Sequence, residues 1–193
     1  MISDAPELAA LQAERELLLA FTRRHGLSDL SPSGASLGAV LERLEQGGYD
    51  WFHVAAHGSF SAVAPDQRTS LWLERGRRAL TPQHLVGPRI ARHLGQQRSC
   101  FFFNFCHGAR LAWGLTGLEG WAQRLLSLGA GMFLAPLWTV RDDAALDLAD
   151  RFYAGLEGGL TVSEALRAAR SPLEPSRLAY SLYGHPNARV AFG

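Results

Sequence analysis

Two near-continuous apolar runs constrain the fold of this chain more than any other feature. Residues 49–56 form the first run, which breaks at His57, and residues 100–105 form the second, which breaks at Cys106. Runs of this length are typical of strands buried on both faces, as in a parallel sheet. Ligands of open α/β sheets bind just beyond the carboxyl ends of such strands. The pattern therefore predicts a thiol and an imidazole at one sheet edge, which favours a cysteine hydrolase, first of all a peptidase.

Helix signals alternate with these runs. Residues 6–25 carry leucines at helical spacing, with Glu14 and Glu16 on the opposite, polar side. Ser36 is placed to cap a second helix over residues 37–46, and residues 161–164 have the form of a capping box at the start of a later helix. The other predicted elements are a hairpin over 70–80, helices over 82–93, 116–129, 142–156 and 161–170, a strand over 131–138, a turn at 182–186 and a last strand at 189–192. This alternation predicts an α/β sandwich of three layers around a mostly parallel central sheet.

The composition indicates one ordinary globular domain over residues 1–193, with 47% apolar and 19% charged residues. A formal net charge of +1 gives no global electrostatic reason to expect a nucleic acid or an anionic membrane as partner. The chain has no apolar stretch of about 18 residues that could span a bilayer, and its first residues lack the pattern of a secretion signal. Two cysteines are too few for a disulfide framework. We therefore expect a reducing, cytoplasmic compartment.

Several short motifs resemble those of CHAT domains, which are caspase-like proteases often fused to helical repeats. The matching segments, in the order expected for the family, are 52–58, 105–108, 130–143, 152–153, 164–170 and 182–186. The resemblance covers residues 8–193. It implies the caspase-haemoglobinase fold, in which the histidine and the cysteine come from neighbouring strands of a mostly parallel sheet. It also implies peptide-bond hydrolysis through an acyl-enzyme.

Within this resemblance, Cys106 is the expected nucleophile and His57 the expected general acid/base. The resemblance implies that the backbone N–H groups of Gly58 and Cys106 form the oxyanion hole, where donors face the charge that develops on the substrate. Cys100 lies at the start of its strand, so we expect it to be inert.

One position departs from the basic-specific relatives, such as metacaspases. Those enzymes carry an Asp two residues before the nucleophile, whereas Asn104 occupies that position here. Strand alternation places Asn104 on the same face as Cys106, so it is expected to form the floor of the specificity pocket. Because an amide carries no charge, we expect only a weak preference for basic side chains. Trp138 ends the third apolar run and is a candidate for the pocket wall, with ordinary core packing as the alternative.

A metal site and other cofactors are not expected. His53, His57, Cys106 and His107 lie in two short segments, but residues four apart on a strand are about 13 Å apart, too far to bind one ion.

The expected partner is a protein or peptide substrate, with an activating protein or a fused helical-repeat region as a further partner. Such a trigger would order the loops at residues 59–69 and 107–116.

CHAT domains usually begin with a strand before the first helix seen here, so the chain is expected to be either a C-terminal piece of a longer protein or a compact variant. Two other functions stay open: a catalytically silent caspase-like interaction module, and a cysteine amidase acting on small amides.

Overall fold

The computed structural model describes residues 9–32, 34, 36–114 and 117–192. Its helices are α1 Ala9–Arg24, α2 Leu37–Gln46, α3 Pro65–Arg68, α4 Pro88–Gln97, α5 Trp121–Ser127, α6 Asp142–Glu157, α7 Val162–Ala169 and α8 Pro175–Leu178. Its strands are β1 Trp51–Ala55, β2 His57–Ser59, β3 Ser70–Leu73, β4 Arg78–Leu80, β5 Cys100–Asn104, β6 Ala112–Trp113, β7 Leu118–Glu119, β8 Met132–Pro136 and β9 Tyr180–Gly184.

The central sheet is formed by four strands in the order β1-β5-β8-β9. The first three strands are parallel to one another, and β9 is antiparallel to β8. The predicted mixed α/β architecture with a mostly parallel central sheet is therefore confirmed. A smaller antiparallel sheet, β2-β3-β4, extends from the end of β1, and it contains the predicted hairpin over residues 70–80.

Helices cover both faces of the central sheet, because consecutive side chains of its strands point to opposite sides. Phe101 and Phe103 on β5 pack in one buried cluster with α2, α4 and α5, and Phe102 packs in the other with α1, α6 and α7. All three phenylalanines are at most 2% exposed. Strands buried on both faces explain why their sequences form apolar runs without a polar alternation.

Two predicted helices begin later than expected. The segment predicted as one helix over 82–93 is divided into a 3₁₀ turn at Pro82–His84 and α4, because Gly87 has φ +107° and Pro88 begins a new helix. Likewise, α5 begins at Trp121 rather than at 116, because the short β6–β7 hairpin comes directly before it. Residue 116 itself lies outside the described residues.

Two predicted helix caps are confirmed. The Ser36 side chain accepts a hydrogen bond from the Ala39 N–H at the start of α2. Thr161 and Glu164 form a reciprocal capping box at the start of α7. Both caps depend on residues within three positions of each other, which is why sequence alone could identify them.

The last part of the chain differs from the prediction. Residues 180–184 form β9, where a turn at 182–186 was predicted, and residues 189–192 form no strand. Val190 and Phe192 instead pack against the α1/α6/α7 cluster in an irregular segment. The Gly-His-Pro sequence led to the prediction of a turn. The strand could not be predicted locally, because β9 pairs with β8, which is far away in the sequence.

Candidate active site

Strand register brings the two predicted catalytic residues to the same edge of the sheet. Ala55, the last residue of β1, lies opposite Asn104, the last residue of β5, and the Ala56 N–H donates to the Asn104 carbonyl over 3.4 Å. His57 and Cys106 each follow two residues later. Because neighbouring strands are about 4.8 Å apart, the two strand ends that lead to these residues lie side by side. His57 is exposed and Cys106 is half-buried.

Gly58 packs directly against the peptide of Cys106. A Cβ atom at this position would lie 2.1 Å from Cδ2 of Phe105 and 2.9 Å from the Cys106 carbonyl oxygen. These distances are too short for any other residue, so the absence of a side chain is what lets β2 approach the cysteine backbone. The site therefore has two backbone segments in close contact, one after each strand.

The chain turns sharply after Cys106. His107 has φ +64°, which is uncommon for a residue other than glycine, and the Gly108 N–H donates back to the Phe105 carbonyl over 3.2 Å. His107 Nε2 lies 3.2 Å from Thr139 Oγ1, which joins this turn to the segment after β8. Left-handed backbone at a residue other than glycine is often found at functional sites.

The two cysteines lie in different environments. The Cys106 sulfur is 3.9 Å from the Val140 carbonyl oxygen, a weak S–H donor contact at the sheet edge. Cys100 lies at the opposite end of β5, and burial, aided by the negative charge of Asp50, raises its thiol pKa to about 11. Cys100 is therefore a protonated, weakly nucleophilic thiol at neutral pH.

Asn104 makes internal hydrogen bonds and is only 4% exposed. Its Nδ2 donates to Glu14 Oε1 over 2.7 Å and to the Ala145 carbonyl over 3.3 Å. The Tyr180 hydroxyl donates to its Oδ1. A substrate side chain would have to displace these partners to reach Asn104, so its role as the floor of a pocket stays a prediction.

Glu14 is the residue that sequence reasoning placed wrongly. It was predicted on the polar side of the first helix, yet it is 2% exposed and contacts both Asn104 and His53, each over 2.7 Å. Two signals could have revealed it: Glu14 shares a helical stripe with Leu11 and Leu18, and two polar residues interrupt the apolar strands that this stripe covers.

Two partly exposed tryptophans lie next to the site. Trp138 follows β8 and is 42% exposed, which argues against the core-packing alternative. Trp72, which sequence reasoning missed, lies directly opposite His57 in the antiparallel β2–β3 pair and is 38% exposed. Residues opposite each other in such a pair have Cβ atoms about 5 Å apart, so Trp72 borders the imidazole.

The loops on the two sides of the site contact each other. The Arg110 guanidinium lies over the Phe60 ring, 4.2 Å from its centroid. The Gly120 N–H donates to Asp66 Oδ1 over 2.9 Å, and burial raises the pKa of Asp66. These contacts connect the segment after β2 with the segment after Cys106.

Two kinds of feature are absent from the described residues. These residues contain no group of three or more His, Cys, Asp or Glu side chains that could hold a metal ion. None of their helices is long and apolar enough to cross a membrane.

The chain is similar to a known protein family. The model of the CHAT domain, a caspase-like family, matches residues 3–187, which is nearly the whole chain. No curated protein matches the chain at a significant level.

Proposed function

The chain belongs to the CHAT domain family, and on that premise we propose that it is a cysteine endopeptidase in which Cys106 is the nucleophile and His57 the general acid/base. The observation that carries the proposal is the register of β1 and β5, which brings both residues to one sheet edge. The mostly parallel sheet between two helix layers supports a caspase-haemoglobinase fold as part of the same proposal.

In the proposed reaction, His57 removes the thiol proton of Cys106, and the thiolate attacks the carbonyl carbon of the peptide bond. The C=O electron pair moves to oxygen, and the N–H groups of Gly58 and Cys106 donate to this oxyanion, with each donor contributing on the order of 3 kcal/mol. The carbonyl then re-forms, the C–N bond breaks, and the leaving amine takes the proton from His57. This step leaves a thioester on Cys106.

The second half of the proposed reaction releases the acyl group. His57 takes a proton from water, and the resulting hydroxide attacks the thioester carbon. The C–S bond breaks, the carboxylic acid leaves, and the sulfur regains its proton from His57. Atoms and charges balance over the cycle, which needs only the peptide and one water molecule.

The substrate in this proposal is a protein or peptide whose chain passes between the two tryptophan side chains at the site. Trp138 is proposed as one wall of the binding cleft, supported by its exposure beyond the end of β8. An activating partner is proposed to act on the loops joined by Arg110 and Phe60. The thiol nucleophile would work in a reducing compartment such as the cytoplasm.

An unbiased proteomic cleavage screen with paired cysteine variants tests the proposal. We expect the wild-type protein to cleave, Cys106→Ala to abolish cleavage, and Cys100→Ala to leave it unchanged. A peptide carrying a thiol-reactive electrophile should label Cys106, and His57→Ala should suppress this labelling.

Cleavage that persists in purified Cys106→Ala protein would show that the assignment is wrong. Labelling independent of His57, together with no cleavage by the wild type, would favour the catalytically silent interaction module. Cleavage confined to small amides would favour the amidase.

A further inference from the structure

A single buried carboxylate joins the two strands that lead to the site. Glu14 projects from α1, and its Oε1 atom lies 2.7 Å from His53 Nε2 on β1 and 2.7 Å from Asn104 Nδ2 on β5. The Glu14 side chain is 3% exposed and that of His53 is 4% exposed. Buried polar groups of this kind are stable only when their hydrogen bonds are made, so the position of this carboxylate is closely determined.

With a neutral His53 imidazole, the hydrogen bonds of the network run in one consistent direction. Trp51 Nε1–H donates to the Tyr153 hydroxyl over 2.8 Å, and the hydroxyl donates to His53 Nδ1 over 2.8 Å. His53 Nε2–H then donates to Glu14, which also accepts from Asn104. The network therefore ends on the carboxylate, which is its common acceptor.

The bridged residues immediately precede the proposed dyad. Asn104 is two residues before Cys106, and His53 is four residues before His57 on the neighbouring strand. Because Glu14 contacts both, it links a side chain of each strand where the strands approach the site. We propose that Glu14 is a positioning residue for the His57/Cys106 dyad, acting through His53 and Asn104, an inference that rests on the proposed function.

This arrangement explains why the residue two before the cysteine is an amide. The substitution Asn104→Asp would place a second carboxylate at hydrogen-bond distance from that of Glu14 inside the protein, where two like charges are strongly unfavourable. Asn104 instead donates to Glu14 and accepts from the Tyr180 hydroxyl. The amide at position 104 and the carboxylate at position 14 are thus a complementary pair.

The pair can be exchanged, which gives the test. Glu14→Gln alone replaces the charged oxygen that accepts from both His53 and Asn104 by a weaker, neutral amide oxygen, and it adds an N–H donor to a buried site. The double variant Glu14→Gln/Asn104→Asp restores the donor–acceptor pair between positions 14 and 104, since the new amide at position 14 would accept from His53 and donate to the new carboxylate at position 104. It gives up only the longer hydrogen bond from position 104 to the Ala145 carbonyl. Glu16→Gln is the matched control, because Glu16 is an exposed glutamate two positions away on the same helix.

Three measurements separate positioning from stability: kcat and KM on a peptide taken from the cleavage screen, the thermal unfolding midpoint, and the alkylation rates of Cys106 and Cys100 at neutral and alkaline pH. We expect Glu14→Gln to lower kcat on the order of 100-fold, because small displacements of reacting groups have effects of this size, with little change in KM. We expect Glu16→Gln to match the wild type and the double variant to recover kcat by about tenfold or more.

Alkylation tests the inference without requiring peptidase activity. Glu14→Gln should lower the neutral-to-alkaline ratio of the Cys106 alkylation rate, because His57 must be close to remove the proton at neutral pH. The same ratio for Cys100 should not change. If the wild type cleaves nothing but this ratio falls selectively, the inference stands and the proposed function fails.

An unchanged kcat and an unchanged Cys106 ratio in folded Glu14→Gln protein would overturn the inference, even with a lower unfolding midpoint. If Glu14→Gln does not fold, the double variant decides. If the folded double variant has about a tenth or more of the wild-type kcat, the positioning role is supported, and a lower kcat overturns the inference. If the wild type has no activity, the Cys106 alkylation ratio of the double variant decides instead, and a ratio below about a tenth of the wild-type value overturns the inference.

Discussion

At the scale of single residues, the candidate site depends on the lack of a side chain at Gly58. The position lies between the Phe105 ring and the Cys106 carbonyl, so one added methyl group must displace a buried aromatic or the backbone of the proposed nucleophile. Displacement of this kind is typical of overpacked cores.

We predict that Gly58→Ala lowers the free energy of unfolding by about 1–3 kcal/mol, as measured by urea denaturation. The control is Gly38→Ala in α2, where a Cβ would meet no atom within 4 Å. Gly38 lies in the first turn of α2, where alanine is favoured over glycine less strongly than in a helix interior, so this control should raise the free energy of unfolding by less than about 1 kcal/mol. Equal effects of the two substitutions would contradict the packing described at Gly58.

The sequence predicted the position of a residue best where that position depends on neighbours close along the chain. The histidine and cysteine positions follow from apolar runs of a few residues, and register places them together. Glu14 could not be placed in this way, because its partner Asn104 is 90 positions away. Carboxylates on helices are usually exposed. Only the tertiary structure shows that polar side chains of the strands bind this one in the core.

At the scale of elements, the end of α1 is joined to the end of α6. Its last turn and the residue after it place Arg24 and His25 on Glu157, the last residue of α6, over 2.6 and 2.7 Å. The hydrogen bond from His25 and, after it, the contact with Arg24 hold the pKa of Glu157 below its usual value. A depressed carboxyl pKa contributes stability above the unfolded value, and this stability is lost as the pH falls through the folded one.

We therefore predict that Glu157→Gln is less stable than the wild type at neutral pH, by less than about 1 kcal/mol because the pair is partly exposed. The difference should disappear under acidic conditions, once the pH falls through the depressed pKa of Glu157. Urea denaturation over a pH series measures this, with the exposed Glu42→Gln in α2 as a control that should show no such trend. If the stability difference between Glu157→Gln and the wild type grows as the pH falls below the usual pKa range of glutamate, the assigned ion pair with Arg24 and His25 is contradicted.

Element boundaries show a second limit of sequence reasoning. The caps of α2 and α7 were predicted correctly because each involves neighbours in sequence. The start of α5 was predicted too early, because Gly117 and Gly120 adopt positive φ values that support a short hairpin instead. Periodicity indicates where apolar residues face the core, but it does not show where a helix begins.

At the scale of the whole molecule, the two buried clusters are separated by the central sheet but share its strands. Val40 in α2 belongs to one cluster and Val162 in α7 to the other, and each is 1% exposed. The sequence predicts a single domain over residues 1–193, and a single domain unfolds both clusters together.

We predict that Val40→Ala and Val162→Ala each lower the free energy of unfolding on the order of 2 kcal/mol. The double variant should show the sum to within about 0.5 kcal/mol, because the two sites share no packing partner. Far-ultraviolet circular dichroism and tryptophan fluorescence should follow one transition in every variant. Two separate transitions would show that the clusters belong to independent units.

The two proposed catalytic residues belong to different sheets. Cys106 follows β5 of the central sheet, whereas His57 begins β2 of the small antiparallel sheet, and Ala56 alone lies between β1 and β2. The separation of the proposed base and nucleophile therefore depends on the angle between two sheets that meet at one residue, as well as on the packing of Gly58 against Cys106. A ligand that tilted the small sheet by binding only to β3 or β4 would therefore also move His57, without contacting either proposed catalytic side chain.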